Sequence, residues 1–229
     1  MSLVVYQLPH SPYCLPITRA LAALKVGFEV VNLSKADRSE VIRLTNGAHY
    51  QVPVLAHGDS PQNCRLVHEG SEGEPDGLDV ARYVERLWGA GRLFPQPLEG
   101  LQSLLVPHIE GELEGVMFKL TDIHYVPAIA DLVERTITIR HKERRYGRGC
   151  LDQWRANREA LFAQAGALLV PFEQMLFSQP FLLGNQPVYT DFALFGVLAN
   201  LTFNDWNPFP PSLPRLADWF ARMKVFCYP

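Results

Sequence analysis

The sequence has 229 residues, of which 48% are hydrophobic, enough to bury one large core or two modest ones. Its 21 Lys and Arg residues against 24 Asp and Glu residues give a formal net charge of −3, which leaves no basic surface for nucleic acid. No run approaches the roughly 20 apolar residues of a membrane span, and no export signal precedes the first β-like run. We therefore expect a cytoplasmic protein with neither nucleic acid nor a membrane as a partner.

The cysteines and histidines form no pattern typical of a metal site. The four cysteines lie far apart, at Cys14, Cys64, Cys150 and Cys227. Their spacing matches no zinc motif, and no two of the histidines are one helical turn apart. We expect reduced thiols and no metal.

Residues 1–90 alternate between strand-like and helical patterns. In chain order they predict a strand at 3–8, a helix at 15–26, a strand at 29–33, a short helix at 39–46, strand-like runs at 52–56 and 65–67, and a helix at 78–88. Turn-forming residues at 58–63 separate the last two strand-like runs and predict an antiparallel hairpin. The order of elements is therefore βαβαββα.

Strand signals largely stop after the glycines and prolines of residues 89–97, which we interpret as a linker. Residues 98–229 predict an all-helical domain with helices at 101–122, 130–146, 151–177, 188–201 and 213–226. Pro171 is expected to kink or split the third of these helices, because proline lacks the backbone donor and clashes with the preceding turn. The sequence thus predicts an α+β chain with domains at 1–90 and 98–229.

The turn between the first strand and the first helix, residues 9–14, reads PHSPYC. It resembles the active-site turn of thioredoxin-like proteins, with Ser11 where glutaredoxins carry their nucleophilic cysteine. A hydroxyl at a helix N-terminus can donate a hydrogen bond to a bound thiolate and lower the pKa of that thiol. The alternative is that Ser11 only caps the helix, with Pro12 in its first turn.

A second signal lies at residues 51–55, which read QVPVL. They resemble the segment in which glutathione transferases hold a cis-proline before the third strand. The resemblance implies that the Val52–Pro53 bond is cis, that the Val52 backbone pairs with the cysteinyl unit of glutathione, and that Gln51 reaches its glycyl carboxylate. The alternative for Pro53 is a trans proline that opens an edge strand, and the alternative for Gln51 is a side chain that only faces solvent.

The same family places a Glu-Ser pair between the fourth strand and the third helix, where it binds the γ-glutamyl group. Counted forward from the strand, Glu69 and Gly70 occupy these positions; counted backward from the helix, Asp76 and Gly77 do. Residues 71–77 therefore read as an insertion, and the lost serine hydroxyl could be supplied by Ser71. The alternative is that these acidic residues are only solvent-exposed side chains of a polar loop.

In the second half, residues 180–194, PFLLGNQPVYTDFAL, closely resemble the entry into the buried core helix of this family. The family has a Ser or Thr cap and an Asp three residues later; here Val188 occupies the cap position and Asp191 is kept, so Asp191 should bind backbone N–H groups. Residues 140–147 more weakly resemble a basic helix of transferases related to β-etherases, or form a solvated helix face.

These ordered matches identify the chain as a member of the glutathione transferase superfamily, of a bacterial-like type that uses serine. The resemblance implies a thioredoxin-like βαβαββα domain, an all-α domain, a homodimer, glutathione as co-substrate, and a small electrophile bound in a cleft between the domains. The residues that fall where the family builds this cleft are Pro9, His10, Met117, Tyr125 and Trp206, although core packing is an alternative for most of them.

The implied chemistry is attack by a glutathione thiolate that Ser11 activates, with Tyr6 as an alternative activator. Cys14 is expected to face the core, and dithiol exchange is excluded in this turn because Ser11 replaces the nucleophile. Three functions remain open: a glutathione transferase, a non-catalytic binding or regulatory protein with the same fold, and a β-etherase-like enzyme that uses glutathione.

Overall fold

The computed structural model describes residues 2–60 and 63–229. Its strands are β1 (Ser2–Gln7), β2 (Glu29–Asn32), β3 (Val54–Ser60) and β4 (Asn63–Val67). Its α-helices are α1 (Cys14–Ala23), α2 (Ser39–Leu44), α3 (Asp79–Val84), α4 (Glu99–His108), α5 (Glu114–Ala128), α6 (Leu132–Tyr146), α7 (Cys150–Ala156), α8 (Arg158–Met175), α9 (Tyr189–Leu201) and α10 (Pro214–Val225). Short 3₁₀ segments at Gln96–Leu98 and Phe203–Asp205, and π turns at Glu85–Gly89 and Ile109–Leu113, complete the regular structure.

The four strands form one mixed sheet in the order β2-β1-β3-β4. β1 runs parallel to β2, because α1 crosses over between them, whereas β3 is antiparallel to both β1 and β4. The predicted βαβαββα order and the hairpin are confirmed, although Pro61 and Gln62 of its turn lie outside the described residues. This half has the thioredoxin-like fold.

The second half is helical, as predicted. α4 and α5 form one long helix that is interrupted by the π turn at Ile109–Leu113, just after Pro107. Pro107 lacks the backbone N–H that would bond to the preceding turn, so the helix has one hydrogen bond fewer before the π turn. In the described part of the chain, no helix is long and apolar enough to cross a membrane.

The predicted split of the third helix at Pro171 is wrong. The chain breaks at Asn157 instead, between α7 and α8, and Pro171 lies inside the uninterrupted α8. The Gln153 carbonyl accepts from both the backbone N–H of Asn157, at 3.0 Å, and its side-chain amide, at 2.8 Å. Asn side chains form such local backbone bonds readily, which favours the end of a helix at this residue.

The two halves meet where α1 packs against α9. Gly196 makes this approach possible: a Cβ atom there would lie 2.5 Å from both the Pro12 carbonyl oxygen and the Pro16 ring. Almost every residue of α9 is buried, and one continuous apolar cluster reaches from Val5 in the sheet to Trp219 in α10. A smaller cluster lies on the other side of the sheet, beneath α2.

The start of α9 is held by the buried carboxylate of Asp191. It accepts hydrogen bonds from the backbone N–H groups of Leu182 and Val188, both at 3.0 Å, and from the indole of Trp219 at 2.9 Å. Val188 has no side-chain acceptor, so only the Asp191 half of a capping box is present. The expected structural role of Asp191 is confirmed.

Candidate functional site

Ser11 lies in the turn just before α1, and its side chain caps the backbone N–H groups at the start of that helix. Its Oγ accepts from the backbone N–H groups of Tyr13 and Cys14, each at 3.3 Å, and its own N–H donates to the Leu8 carbonyl at 3.0 Å. The residue is only 6% exposed. The capping role considered in the sequence is therefore present, and the hydroxyl hydrogen is still able to donate to a ligand, since both cap bonds use the oxygen as acceptor.

Cys14 and Tyr6 are poorly placed to supply a reactive group. Cys14 is fully buried, and burial raises the pKa of its thiol to about 11, which keeps it protonated at neutral pH. Tyr6 belongs to the cluster beneath α2 with Val41 and Val54, and burial raises the pKa of its phenol. Of the three side chains, that of Ser11 is the one that bonds to the backbone N–H groups at the start of α1.

The Val52–Pro53 peptide bond is cis, as predicted. Val54, which follows it, pairs with Tyr6 near the end of β1, so this bond lies beside the turn that carries Ser11. Among the backbone groups of residues 2–60 and 63–229, none forms a hydrogen bond with Val52. Gln51 is exposed next to it. The backbone of Val52 is thus available to an extended peptide.

The inserted loop after β4 distinguishes the two candidate carboxylates. Asp76 is occupied, because it pairs with Arg82 at 2.8 Å and accepts from the Leu78 N–H at 3.1 Å. The Oε2 atom of Glu69 is shielded from solvent and has no hydrogen-bond partner in the described part of the chain. Burial raises the pKa of Glu69 to about 8. The Glu69 carboxyl group also bonds to the backbone N–H groups of Asp79 and Val80, so its unpaired Oε2 is the atom that can meet a cation.

Glycine replaces the expected serine because of the backbone conformation. Gly70 has φ of +84°, a left-handed value that serine adopts only with strain. The Oγ of Ser71 accepts from the His68 N–H at 3.0 Å, which leaves its hydroxyl hydrogen available to a ligand, so the role of Ser71 as the replacement hydroxyl stays a prediction.

Sequence reasoning missed Asp79, which holds this loop in place. Its carboxylate is 1% exposed and accepts from the backbone N–H groups of Glu72, at 2.5 Å, and Gly73, at 2.8 Å. An acidic residue in the first turn of a predicted helix was the available signal.

A cavity of about 330 Å³ opens beside the Ser11 turn, between the sheet half and the helical half. Four of the five residues predicted for an electrophile cleft line it: Pro9, His10, Tyr125 and Trp206. Met117 does not, because its face of α5 turns into the core, where it is completely buried. Residues that the sequence did not point to complete the wall, among them Leu33, Ser34, Ile129, Glu134, Phe203 and Asn204.

His10 and Tyr125 form the wall nearest to Ser11, with ring centroids 4.1 Å apart. Burial, followed by the nearby charge of Lys35, lowers the pKa of His10 to about 4, so the imidazole is neutral at physiological pH. Burial raises the pKa of Tyr125 to about 12, so it keeps its hydroxyl hydrogen. The wall is therefore uncharged.

Behind this wall, an ion cluster joins the two halves. Asp122 of α5 pairs with Lys35, which precedes α2, at 3.6 Å, and with Lys142 of α6. Lys142 comes from the basic segment at 140–147, of which Arg140 pairs with Glu143 at the surface. That segment is thus partly a solvated face and partly a contact that holds α6 beside the cavity.

Comparisons with known proteins agree with this fold. Residues 152–222 match the family of glutathione S-transferase C-terminal domains. No curated protein sequence matches the chain significantly. The glutathione transferase GSTFuA3 from Phanerochaete chrysosporium has a similar structure, with a TM-score of 0.77 and 15% identity, covering 100% of this chain and 98% of that one.

Two further structures of the same fold contain glutathione. Glutaredoxin 2 from Salmonella typhimurium, in complex with glutathione, has a TM-score of 0.71 and 20% identity, covering 97% of this chain and 94% of that one. The theta class glutathione S-transferase from Xanthomonas axonopodis pv. citri, with glutathione bound, has a TM-score of 0.64 and 17% identity, covering 98% and 93%. The chain therefore has the glutathione transferase fold, and its C-terminal family match supports a place in that superfamily.

Proposed function

We propose that this protein is a glutathione transferase in which Ser11 activates the glutathione thiol for attack on a small electrophile. The observation that carries the proposal is the position of Ser11: its oxygen is fixed at the start of α1, beside the cis Val52–Pro53 bond and next to the cavity that His10 lines. The positive end of the α1 dipole at this turn favours an anion such as a thiolate.

Glutathione would lie across the edge formed by the Ser11 turn, the Val52 backbone and the loop after β4. Val52 has free backbone groups for the cysteinyl unit, and the unpaired oxygen of Glu69 suits the ammonium of the γ-glutamyl group. Gln51 is exposed at the expected place for the glycyl carboxylate. Asp76 takes no part in this proposal, because it pairs with Arg82 and accepts from the Leu78 N–H. The exposed Ser71 can still donate its hydroxyl hydrogen to the γ-glutamyl group.

The thiol chemistry follows from its ordinary acidity. Free thiols have a pKa near about 8.5 and are mostly protonated at neutral pH, so a donor that stabilises the thiolate raises the reactive fraction. Because the Ser11 oxygen accepts both of its cap bonds, its hydrogen can point at the sulfur without breaking either.

A second candidate function is a binding protein with little catalysis of its own. It is favoured by the low exposure of Ser11, at 6%, and by Gly70 in place of the serine that would contact the γ-glutamyl group. A β-etherase-like activity remains a variant of the first proposal, since it uses the same thiolate.

Retention on immobilised glutathione, followed by conjugation assays with benzyl isothiocyanate and β-nitrostyrene, separates these functions. The transferase proposal expects both retention and conjugation. Retention without conjugation of any electrophile would support the binding protein, and absence of retention would contradict both.

A cytoplasmic homodimer completes the proposal. Leu101 and Leu104 of α4 are exposed at 50% and 72% and offer an apolar face to a second copy. Light scattering at micromolar concentration tests it, and a monomer there would contradict it.

A further inference from the structure

The cavity beside Ser11 has an aromatic side that can accept a flat ring. His10, Tyr125, Phe203 and Trp206 all line it, with neighbouring ring centroids 4.1–6.4 Å apart. Aromatic groups prefer to pack at such separations. The volume of about 330 Å³ is at the small end for a ligand cavity, which suits one or two fused rings.

The turn after α9 brings two of these rings to the cavity. Asn204 and Asp205 have φ values of +49° and +56°, which Asn and Asp adopt more readily than other residues with a side chain. This sharp turn places Phe203 and Trp206 on the same wall, with ring centroids 5.4 Å apart.

The polar part of the cavity is formed by Ser34, after β2, and Glu134, in the first turn of α6. The Ser34 hydroxyl donates to Oε1 of Glu134 at 2.8 Å, which fixes the orientation of the carboxylate. Within the described ranges, no Lys, Arg or His forms an ion pair with Glu134, and its Oε2 atom accepts no hydrogen bond. One carboxylate oxygen is therefore available in the cavity wall as a strong acceptor.

We propose that the electrophile is an aromatic molecule that carries a hydrogen-bond donor, such as a phenolic hydroxyl, which binds to Glu134 while its ring lies against the wall formed by His10, Tyr125 and Trp206. This inference deepens the proposed function and rests on it. Glu134 is a residue that determines specificity and takes no part in the chemistry. The neutral His10 adds no competing charge to the wall.

A binding experiment that omits glutathione tests the inference independently of conjugation. Calorimetry at neutral pH compares β-naphthol with its methyl ether, which has the same ring but no donor. We expect β-naphthol to bind about tenfold more tightly, because a hydrogen bond to a charged acceptor is worth that factor or more. In Glu134→Gln this preference should fall several-fold, because the neutral amide is a weaker acceptor.

The matched control is Glu159→Gln, which changes an exposed carboxylate in the first turn of α8, outside the cavity. It should keep the full preference, and thermal melts should show that both variants fold. Equal binding of the two naphthalenes by the parent protein would overturn the inference. So would a preference that is unchanged in Glu134→Gln, since another group would then be the acceptor.

A conjugation experiment uses meta-hydroxy-β-nitrostyrene and its meta-methoxy analogue, each corrected for its uncatalysed rate. The glutathione sulfur adds to the alkene carbon, the C=C π electrons move onto the nitro group, and a proton from solvent completes the product. We expect kcat/KM to favour the hydroxy compound about tenfold in the parent and less in Glu134→Gln. Conjugation without this preference would overturn the inference and leave the transferase proposal intact. The naphthol preference without any conjugation would support the cavity assignment and contradict the transferase.

Discussion

The side-chain amide of Asn200 in α9 donates a hydrogen bond to the backbone carbonyl of His10, the residue before Ser11. Its Oδ1 accepts from the Thr121 hydroxyl of α5 at 2.9 Å, and Asn200 is only 4% exposed. One buried amide of the helical half therefore positions the turn that carries the proposed activating serine.

Asn200→Ala should consequently impair catalysis as well as stability. We expect a loss of about 1–3 kcal/mol in the free energy of unfolding, because the His10 carbonyl and the Thr121 hydroxyl lose a partner. We also expect a fall in kcat, because the Ser11 turn loses its support. Thr121→Val is the matched control, since it removes a bond to Asn200 but none to the turn. If both variants lower kcat equally at equal stability, Asn200 has no specific role in positioning.

Ser11→Ala tests the proposed chemistry directly. Removal of one hydrogen bond to a thiolate should cost roughly 1.5–3 kcal/mol, or about ten- to a hundredfold in rate, and should raise the apparent pKa of the bound thiol. Glutathione affinity should change much less, because the Val52 backbone is untouched. The measurement is the pH dependence of kcat, together with binding by calorimetry.

Cys14→Ala is the control for this experiment. Since burial keeps the pKa of that thiol at about 11, its loss should leave the rate and the pH profile nearly unchanged. Loss of activity in Cys14→Ala with activity retained in Ser11→Ala would make Cys14 the working thiol.

Glu69→Gln should stabilise the free protein at alkaline pH while it weakens glutathione binding. The folded-state pKa of Glu69, about 8, lies above its ordinary value, so the folded protein holds a proton that the unfolded chain releases. Its contribution to stability therefore falls as the pH rises towards about 8. Gln removes this loss, on the order of 1–2 kcal/mol after solvent screening. Thermal melts at about pH 5 and about pH 8 should differ for the parent more than for the variant.

The protonated carboxyl group of Glu69 should release its proton when glutathione binds. An ammonium beside Glu69 would lower the pKa of this group, so the parent should release protons near neutral pH, measurable by calorimetry in buffers of different ionisation enthalpy. Glu69→Gln should reduce this release to the part that comes from the activated thiol, and should weaken affinity about ten- to a hundredfold. Unchanged affinity would remove Glu69 from the proposed site.

Gly196→Ala tests the contact between the halves. The added methyl group would meet the Pro12 carbonyl and the Pro16 ring at 2.5 Å, so α1 must move away from α9. We expect a cost of about 1–3 kcal/mol in stability, measured by denaturant unfolding, and lower activity because Ser11 precedes Pro12. Gly166→Ala in α8, where a Cβ meets nothing within 4 Å, is the control and should be neutral or mildly stabilising.

The sequence predicted the elements that local patterns determine. Alternating strand and helix signals gave the order of the sheet half, and the QVPVL segment located the cis Val52–Pro53 bond. Four cavity residues also followed from the family resemblance. The break at Asn157 was missed because asparagine disfavours a helix only weakly, whereas Pro171 is a strong helix breaker and therefore drew the prediction. In the structure, α8 continues through Pro171.

The remaining site residues depend on contacts between distant parts of the chain. Asn200 and His10 are 190 positions apart, and Glu134 meets Ser34 across 100 positions. Nothing in the local pattern around Asn200 or Glu134 distinguishes them from other polar helix residues. Such roles become visible only when the packing of the helices is known.

The continuous apolar cluster from Val5 to Trp219 has a consequence for how the protein loses its structure. Residues 89–97 mark a change in secondary structure, yet Leu93 in this segment is completely buried, and its carbonyl accepts from the Tyr189 N–H at 2.8 Å. The segment is therefore part of the packing and offers no weak point at which one half could melt first. The sheet and the helices should therefore unfold together in a single cooperative transition when the protein is heated or treated with denaturant. A fragment that ends near residue 90 would expose apolar surface and aggregate.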